Sequence, residues 1–183
     1  GLPADLAQAG SLDAALHAAQ ADIVVNAAAY TAVDRAEDEP TLAQRVNAQA
    51  PAEIGAWAAA NRALVVHFST DYVFDGRGAR PYREIDLVAP LGAYGRDKLA
   101  GENALRESGC ALLILRTAWV YAARGNNFLR TMLRLARERD EVRVVNDQRG
   151  APTSARLVAA ATALALARLL ARRAPERDRL HGT

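Results

Sequence analysis

Tyr94 and Lys98 form the pair of side chains in this sequence that is best suited to acid–base chemistry. Residues four apart on a helix share one face and lie about one turn from each other. Tyrosine alone is a weak acid with a pKa near 10, but an ammonium group about 4 Å away stabilises its anion by roughly 4 kcal/mol at an effective dielectric near 20. That energy lowers the pKa of the phenol to about 7. The pair therefore predicts an acid that protonates a carbonyl oxygen near neutral pH while a hydride reaches the carbonyl carbon.

A hydroxyl that could hold the same carbonyl oxygen is found at Thr70, which follows the apolar run 64–68. The interval of about 24 residues between Thr70 and Tyr94 lets a helix that carries Tyr94 fold back onto the end of this strand. The Tyr–Lys spacing alone is more typical of an exposed helical pair than of a catalytic one. The hydroxyl at the strand end reverses that preference, so we predict that Thr70, Tyr94 and Lys98 are catalytic residues.

Short apolar strands alternate with Ala- and Leu-rich helices along the chain, which is the pattern of a parallel sheet covered by helices. We predict strands at 22–26, 64–68, 111–115 and 142–145. Helices are predicted from Ser11 onward, over 33–61 with a turn or kink at Pro40 and Pro51, and at 94–108, 126–138 and 155–171. The fold class is therefore α/β with a doubly wound parallel sheet. Ligands in such folds collect at the carboxyl ends of the strands, where this sequence places polar residues: Asn26, Ser69, Thr70, Asp71, Arg116 and Thr117.

The overall composition argues against several other classes of protein. Hydrophobic residues make up 51% and charged residues 24% of the 183, as in soluble globular proteins. A net charge of +2 supplies no long-range field to attract nucleic acid. The chain has neither an apolar run near the roughly 20 residues that span a bilayer nor a leader-like start. With the single Cys110 it can form no internal disulfide. We expect a cytoplasmic protein that binds neither nucleic acid nor membranes.

Several stretches of the chain resemble the dTDP-4-dehydrorhamnose reductase family, which belongs to the extended short-chain dehydrogenase/reductases. They are VVNAAAYTAVD at 24–34, FSTDYVFDG at 68–76, PLGAYGRDKLAGE at 90–102, RTAWVY at 116–121, NNF at 126–128 and NDQRGAPT at 146–153. The resemblance is continuous over about 22–158. It implies a Rossmann-like fold that binds NADPH (or NADH). It also implies the reduction of dTDP-4-dehydro-L-rhamnose to dTDP-L-rhamnose, a step of rhamnose biosynthesis.

The resemblance also implies a role for individual residues. Tyr94 would donate the proton, Lys98 would hold the nicotinamide ribose and lower the pKa of Tyr94, and Thr70 would bond the sugar. The implied substrate-binding residues are Thr70, Asp71, Tyr72 and Trp119. The implied cofactor-binding residues are Asp5, Leu6, Ala28, Ala29, Tyr30, Thr31, Phe68, Tyr94 and Lys98. Three polar residues are expected to lie outside the site, with Asn26 and Asn47 ordering loops and His67 packed in its strand.

Two parts of the family pattern are not found in these 183 residues: the glycine-rich β-α-β unit that grips a pyrophosphate, and the tail that completes the sugar-binding lobe. We therefore expect an internal fragment. Its divisions would be a partial dinucleotide-binding domain (1–118), a substrate-facing segment (119–152) and a helix that returns to the core with a truncated tail (153–183). Such a fragment is expected to bind NADPH poorly by itself. Some family members bridge a dimer with magnesium through an acidic residue, but Arg156 stands at that position, so neither a metal nor such a dimer is expected.

Two alternative functions remain open from the sequence. A non-catalytic NADP-binding regulatory subunit, the β subunit of methionine adenosyltransferase, is similar through STDYVFDG and the Tyr–Lys stretch, whereas WVY at 119–121 and QRGAPT at 148–153 favour the reductase. Another sugar-nucleotide epimerase or dehydratase of the same superfamily is the second alternative. Dehydratases usually carry an acidic pair after the threonine, and here Asp71 is followed by Tyr72.

Overall fold

The computed structural model describes residues 4–180, and side chains over 4–171. The chain divides into two compact units, Gly1–Thr117 and Ala118–Thr183. Each unit is described by itself.

The first unit is built on a three-stranded parallel sheet. Strands β1 (Ile23–Asn26), β2 (Leu64–Thr70) and β3 (Ala111–Thr117) lie side by side in that order. The register pairs Asn26 with His67 and Ser69 with Arg116, and partners in a parallel sheet point to the same face. The predicted α/β fold with a parallel, Rossmann-like sheet is confirmed, and β2 and β3 continue two residues beyond the predicted ends.

Helices connect these strands. The segment before β1 contains α1 (Ser11–Ala19). Between β1 and β2 lie α2 (Arg35–Asp38), α3 (Pro40–Gln44), a π-helical turn (Arg45–Gln49) and α4 (Ala50–Asn61). A 3₁₀ turn (Asp71–Val73) and α5 (Ala93–Glu107) connect β2 to β3, and Gly109 ends this connection with a φ of +73°.

The single helix predicted over 33–61 is interrupted, as the prolines suggested. Glu39 leaves the helical conformation with a φ of −119°, because the ring of Pro40 disfavours a helical conformation in the residue before it. Pro51 causes no break: it lies in the first turn of α4, and the helical backbone passes from the π-helical turn into α4 without interruption.

The hydrophobic core of this unit lies between one face of the sheet and helices α1, α4 and α5. Leu12 of α1, Ile54 and Trp57 of α4, and Leu105 of α5 pack with Val65 of β2. Removing side chains of this size from water contributes about 1.5–3 kcal/mol each. The same core therefore holds α5 against β2.

The second unit contains two short parallel strands, β4 (Val120–Tyr121) and β5 (Thr153–Ser154), and two helices, α6 (Phe128–Glu138) and α7 (Ala155–Leu180). The prediction of a strand at 142–145 is wrong, because this segment has no regular secondary structure. β-Branched residues favour a strand only where a sheet packs against them, and here Val144 and Val145 are 50% and 68% exposed. Among the described residues, no helix combines the length and the apolar character needed to cross a membrane.

Candidate functional site

Thr70 is the last residue of β2, the middle strand of the sheet, and caps the 3₁₀ turn that follows it. Its Oγ1 accepts the N–H of Tyr72 at 3.2 Å and donates to Asp71 Oδ1 at 3.4 Å. The residue is only 5% exposed. The hydroxyl is therefore held in one place at the carboxyl end of the sheet, the edge at which open α/β sheets bind ligands.

Tyr94 lies in the first turn of α5, half-buried beside this strand end. Its phenol interacts with the Thr70 hydroxyl. Its ring contacts Tyr72 edge to face, with the centroids 5.7 Å apart and an interplanar angle of 78°. Tyr94 and Tyr30 also pack against the same small cluster of alanines: Ala36, Ala43 and Ala93. The structure thus brings together Thr70, Tyr94 and Tyr72 from the predicted site.

The pKa of Tyr94 is raised above its usual value. Burial is the main cause, and the negative charge of Asp71 adds to it, whereas the hydrogen bond with Thr70 lowers the pKa. The lowering expected from Lys98 is not found in this arrangement, because the Lys98 amine is directed to other partners. Tyr94 is therefore a protonated phenol at neutral pH, which is the form a proton donor needs.

Lys98 is almost completely buried, with 1% of its surface exposed. Its Nζ donates to the carbonyl oxygen of Phe68 at 2.8 Å and lies 3.2 Å from Nε2 of His67. Burial lowers the pKa of Lys98 to about 8, although the charge of Glu102 opposes this shift. Lys98 consequently titrates much closer to neutral pH than an ordinary lysine.

His67 and Asn26 belong to this site, although sequence reasoning placed them outside it. The two residues are register partners on β1 and β2, and Asn26 Nδ2 lies 3.1 Å from His67 Nδ1. His67 is fully buried, and burial together with the neighbouring Lys98 lowers its pKa to about 3, so the ring is neutral. A signal was present in the sequence, since both are polar residues near the ends of adjacent apolar strands.

The loop after β1 carries four of the predicted cofactor residues, and Asn47 orders it as expected. The N–H of Tyr30 donates to Asn47 Oδ1 and Asn47 Nδ2 donates to the carbonyl of Tyr30, both at 3.0 Å. The phenol of Tyr30 donates to Glu39 Oε2 at 2.6 Å. Ala28 and Thr31 are exposed. The backbone of this loop is therefore rigidly held and open to a ligand.

Two glycines allow α5 to approach its neighbours closely. A Cβ at Gly95 would lie 2.3 Å from the carbonyl oxygen of Tyr72, and one at Gly101 would lie 2.2 Å from that of Asn47. The helix also receives a cap from a distant element, since Glu37 Oε1 accepts the N–H of Ala93 at 2.6 Å. These contacts fix the part of α5 that carries the tyrosine and the lysine.

Three other predicted residues have different surroundings. Asp5 forms local bonds, including one from the N–H of Ala7 at 2.9 Å, and Leu6 packs against the core of the first unit. Among the described residues, their contacts do not reach Thr70, Tyr94 or Lys98, the predicted catalytic residues. Trp119 belongs to the second unit, where its ring lies against Gly150 and is 43% exposed.

Comparisons with known proteins show the family to which the chain belongs. The family model described as the RmlD substrate binding domain matches residues 2–183. The dTDP-4-dehydrorhamnose reductase of Escherichia coli K12 is 56% identical over 152 residues, which cover 79% of this chain and 48% of that protein. The enzyme of the same name from Burkholderia thailandensis is 53% identical over 174 residues, or 93% of this chain and 57% of that protein.

A solved structure gives the same result. The crystal structure of dTDP-4-dehydrorhamnose reductase from Bacillus anthracis in complex with NADP superposes with a TM-score of 0.79 at 38% identity. It covers 82% of this chain, and this chain covers 54% of it. The chain spans about half the length of the curated relatives it matches. Since the family model spans nearly all of these residues, and the relatives share more than half of the aligned positions, the chain belongs to the dTDP-4-dehydrorhamnose reductase family.

Proposed function

We propose that this chain carries the catalytic residues of an NADPH-dependent reductase that converts dTDP-4-dehydro-L-rhamnose to dTDP-L-rhamnose. The observation that carries the proposal is the position of Tyr94, which lies beside Thr70 and edge to face with Tyr72 at the carboxyl end of the sheet, with Lys98 buried one helical turn further on. The names of the relatives support the substrate, and the NADP complex of the Bacillus anthracis enzyme supports the cofactor.

The residues at the ends of β1 and β2 fit a nicotinamide dinucleotide. Ala28 is exposed and has only a methyl side chain, so a ligand can approach the backbone closely. Lys98 uses one N–H for Phe68 and turns another side of Nζ to His67, so in either charge state one N–H is left without an acceptor among the described residues. That donor suits a ribose hydroxyl. The residues that would hold the cofactor here are Ala28, Ala29, Tyr30, Thr31, Phe68, Tyr94 and Lys98, with Asp5 and Leu6 proposed to lie near the adenine.

The bound cofactor would supply a hydride to the carbonyl carbon of the sugar. Tyr94 Oη would donate its proton to the carbonyl oxygen, on which negative charge develops during the reaction. Thr70 would orient that oxygen through its hydroxyl. Because the raised pKa keeps Tyr94 protonated, the proton is present when substrate arrives.

The sugar nucleotide would lie against Asp71, Tyr72 and Trp119. Tyr72 is 39% exposed beside Tyr94, so its ring offers an open surface next to the proton donor. Trp119 has a φ of +44°, a conformation that residues with side chains rarely adopt and that is concentrated at functional positions. Both features support these residues as substrate contacts.

The proposal is tested by incubating the full-length protein with NADPH and dTDP-4-dehydro-L-rhamnose, and by following both cofactor oxidation and the sugar product. We expect stoichiometric formation of dTDP-L-rhamnose. Absence of turnover, together with tight binding of another protein, would instead favour the non-catalytic regulatory subunit. Turnover of a different sugar nucleotide alone would keep the reductase but correct its substrate.

A further inference from the structure

A continuous chain of hydrogen-bonding groups runs from the loop after β1 to Lys98. The N–H of Ala28 donates to Asn26 Oδ1 at 3.3 Å, Asn26 Nδ2 meets His67 Nδ1 at 3.1 Å, and His67 Nε2 meets Lys98 Nζ at 3.2 Å. The three side chains are between 0% and 6% exposed, so water cannot readily replace any of these contacts. The charge of Lys98 and the loop backbone are thus joined by buried polar groups whose donors and acceptors must match.

The direction of each bond follows from the first one. Because Asn26 Oδ1 accepts the N–H of Ala28, its amide NH₂ points to His67 and donates to Nδ1. A neutral imidazole has one N–H, which must then be on Nε2 and point to Lys98. Nζ can accept this hydrogen only through a lone pair. This set of bond directions is the one that an uncharged Lys98 permits.

Charging Lys98 requires every hydrogen bond of this series, from Lys98 through His67 to Asn26, to reverse its direction. An ammonium group has no lone pair, so it donates to His67 Nε2 and the ring hydrogen moves to Nδ1. Nδ1–H then needs an acceptor, which Asn26 can provide only if its amide turns over and presents Oδ1. The N–H of Ala28 then loses its acceptor and becomes free to bond a ligand.

We propose that Asn26 and His67 are positioning residues that couple the charge of Lys98 to the loop after β1, so that an uncharged Lys98 accompanies a bonded Ala28 N–H and a charged Lys98 accompanies a released one. The coupling is reciprocal: charging Lys98 strengthens the binding of a ligand that accepts a hydrogen bond from the Ala28 N–H, and such a ligand stabilises the charged state of Lys98 by an equal free energy. That consequence rests on the proposed function, in which the ligand that reaches the loop after β1 is the nicotinamide cofactor. The coupling itself does not rest on it.

No other charged group described near α5 takes the place of Asn26 and His67 in linking Lys98 to the loop after β1. Glu102 raises the pKa of both Lys98 and His67, but its carboxylate is paired with Arg116 of β3 at 2.7 Å. Of the charged residues on other elements packed against α5, Arg45 pairs with Glu53, Glu37 lies 3.7 Å from Arg96 of α5, and Asp71 acts on Tyr94.

The test is a pH titration of the full-length protein by ¹⁵N NMR of its histidine rings, with the His67 signals assigned through His67→Gln. We expect His67 to stay neutral from pH 6 to pH 10 but to change from the Nδ1–H to the Nε2–H tautomer, with a midpoint near the Lys98 pKa of about 8. The amide signal of Ala28 should shift with the same midpoint. One tautomer throughout the range, or an Ala28 signal that does not follow the ring, would overturn the proposal.

Two variants test separately the two ends of this hydrogen-bonded series, Asn26 and Lys98. In Asn26→Asp the carboxylate can only accept, so His67 should remain the Nδ1–H tautomer at every pH. In Lys98→Met the partner of Nε2 is lost, so Asn26 alone should hold the Nε2–H tautomer at every pH. A tautomer change that persists in either variant would contradict the coupling. These readouts need no turnover, so they fail or succeed independently of the reductase proposal.

Discussion

Lys98 is an ionisable group that folding removes from water, and this has a measurable effect on stability. Its pKa falls from 10.5 to about 8 because it is buried. Between about pH 8 and pH 10.5 the unfolded chain therefore binds a proton that the folded chain has released, so this lysine's contribution to stability rises with pH across that window. Below about pH 8 Lys98 is charged in both the folded and the unfolded chain, so the free-energy cost of burying its ammonium group is fully present.

The variant Lys98→Met removes this penalty. Losing this cost should raise the free energy of unfolding of the variant relative to the wild type. We expect this pH-dependent difference to be about 3 kcal/mol at pH 7 and about 1 kcal/mol at pH 10. Denaturant unfolding of both proteins at the two pH values measures it, because all other ionisable groups cancel in the comparison. An advantage that is equal at both pH values would show that Lys98 is not titrating as described.

At this scale the sequence could suggest Thr70, Tyr94 and Lys98 as a proposed catalytic set, because residue type and spacing alone indicate their chemistry. It could not identify His67 and Asn26 as neighbours of Lys98. Their role depends on the register of β1 and β2, which pairs them across the sheet, and on the direction in which the long Lys98 side chain extends. The pKa of Tyr94 was mispredicted for the same reason, since spacing along a helix does not determine where an ammonium group points.

Among the elements, α5 carries Tyr94 and Lys98, the proposed catalytic pair, and its position depends on the absence of a side chain at Gly95. Alanine normally stabilises a helix interior relative to glycine by about 1 kcal/mol. At Gly95 we expect the opposite, because the added Cβ would lie 2.3 Å from the Tyr72 carbonyl oxygen. Gly95→Ala should lower stability by about 1–3 kcal/mol and reduce turnover, since the helix must move away from Thr70.

Thermal unfolding and the reductase assay check this expectation, with Asn103→Ala as the control at an exposed position of the same helix. The control should change neither quantity appreciably. A Gly95→Ala protein as stable and active as the wild type would show that α5 does not touch the 3₁₀ turn in this way.

A buried ion pair joins α5 to β3. Glu102 is completely buried, and it accepts hydrogen bonds from Arg116 Nε at 2.9 Å and Nη2 at 2.7 Å and from Arg106 at 2.8 Å. The two arginines lower its pKa although burial opposes them. The ion pair therefore adds stability above the ordinary glutamate pKa, and this stability is lost as the pH falls through the lowered one.

Neutralising this carboxylate tests the ion pair. Glu102→Gln should cost about 2–3 kcal/mol at pH 7, because it leaves Arg116 without its charged partner, and the cost should shrink as the pH falls below the range in which Glu102 ionises. Denaturant unfolding at pH 7 and at a series of pH values below the ordinary glutamate pKa measures both. Glu107→Gln, at an exposed position at the end of the same helix, is the matched control, and an equal loss in the two variants would contradict this account.

The elements also show where sequence patterns stop being sufficient. Apolar β-branched runs predicted three strands correctly, since each has a neighbour in the sheet. The run at 142–145 is also rich in valine, but it forms no strand because no sheet partner lies beside it in the described part of the chain. Periodicity alone likewise could not show that the helical stretch before Ala50 contains a π-helical turn, which presents Asn47 to the loop after β1.

For the molecule as a whole, the sequence was sufficient for the fold class and the family, because alternating strands and helices and several linked motifs all point the same way. The sequence motifs also placed Trp119 in the proposed substrate site together with Thr70 and Tyr94. The structure describes Trp119 within a second compact unit, so its part in binding the sugar nucleotide remains a proposal.

The central claim is that the Tyr94 phenol donates the proton, and removing its hydroxyl tests this most directly. In the full-length protein, Tyr94→Phe should lower kcat by at least about 100-fold, the usual contribution of a positioned general acid, and leave the Kd for NADPH within about twofold. The control is Tyr82→Phe, which removes the hydroxyl of a tyrosine whose ring stacks on Phe74, and it should retain the wild-type kcat. A Tyr94→Phe enzyme that turns over at the wild-type rate would contradict the account.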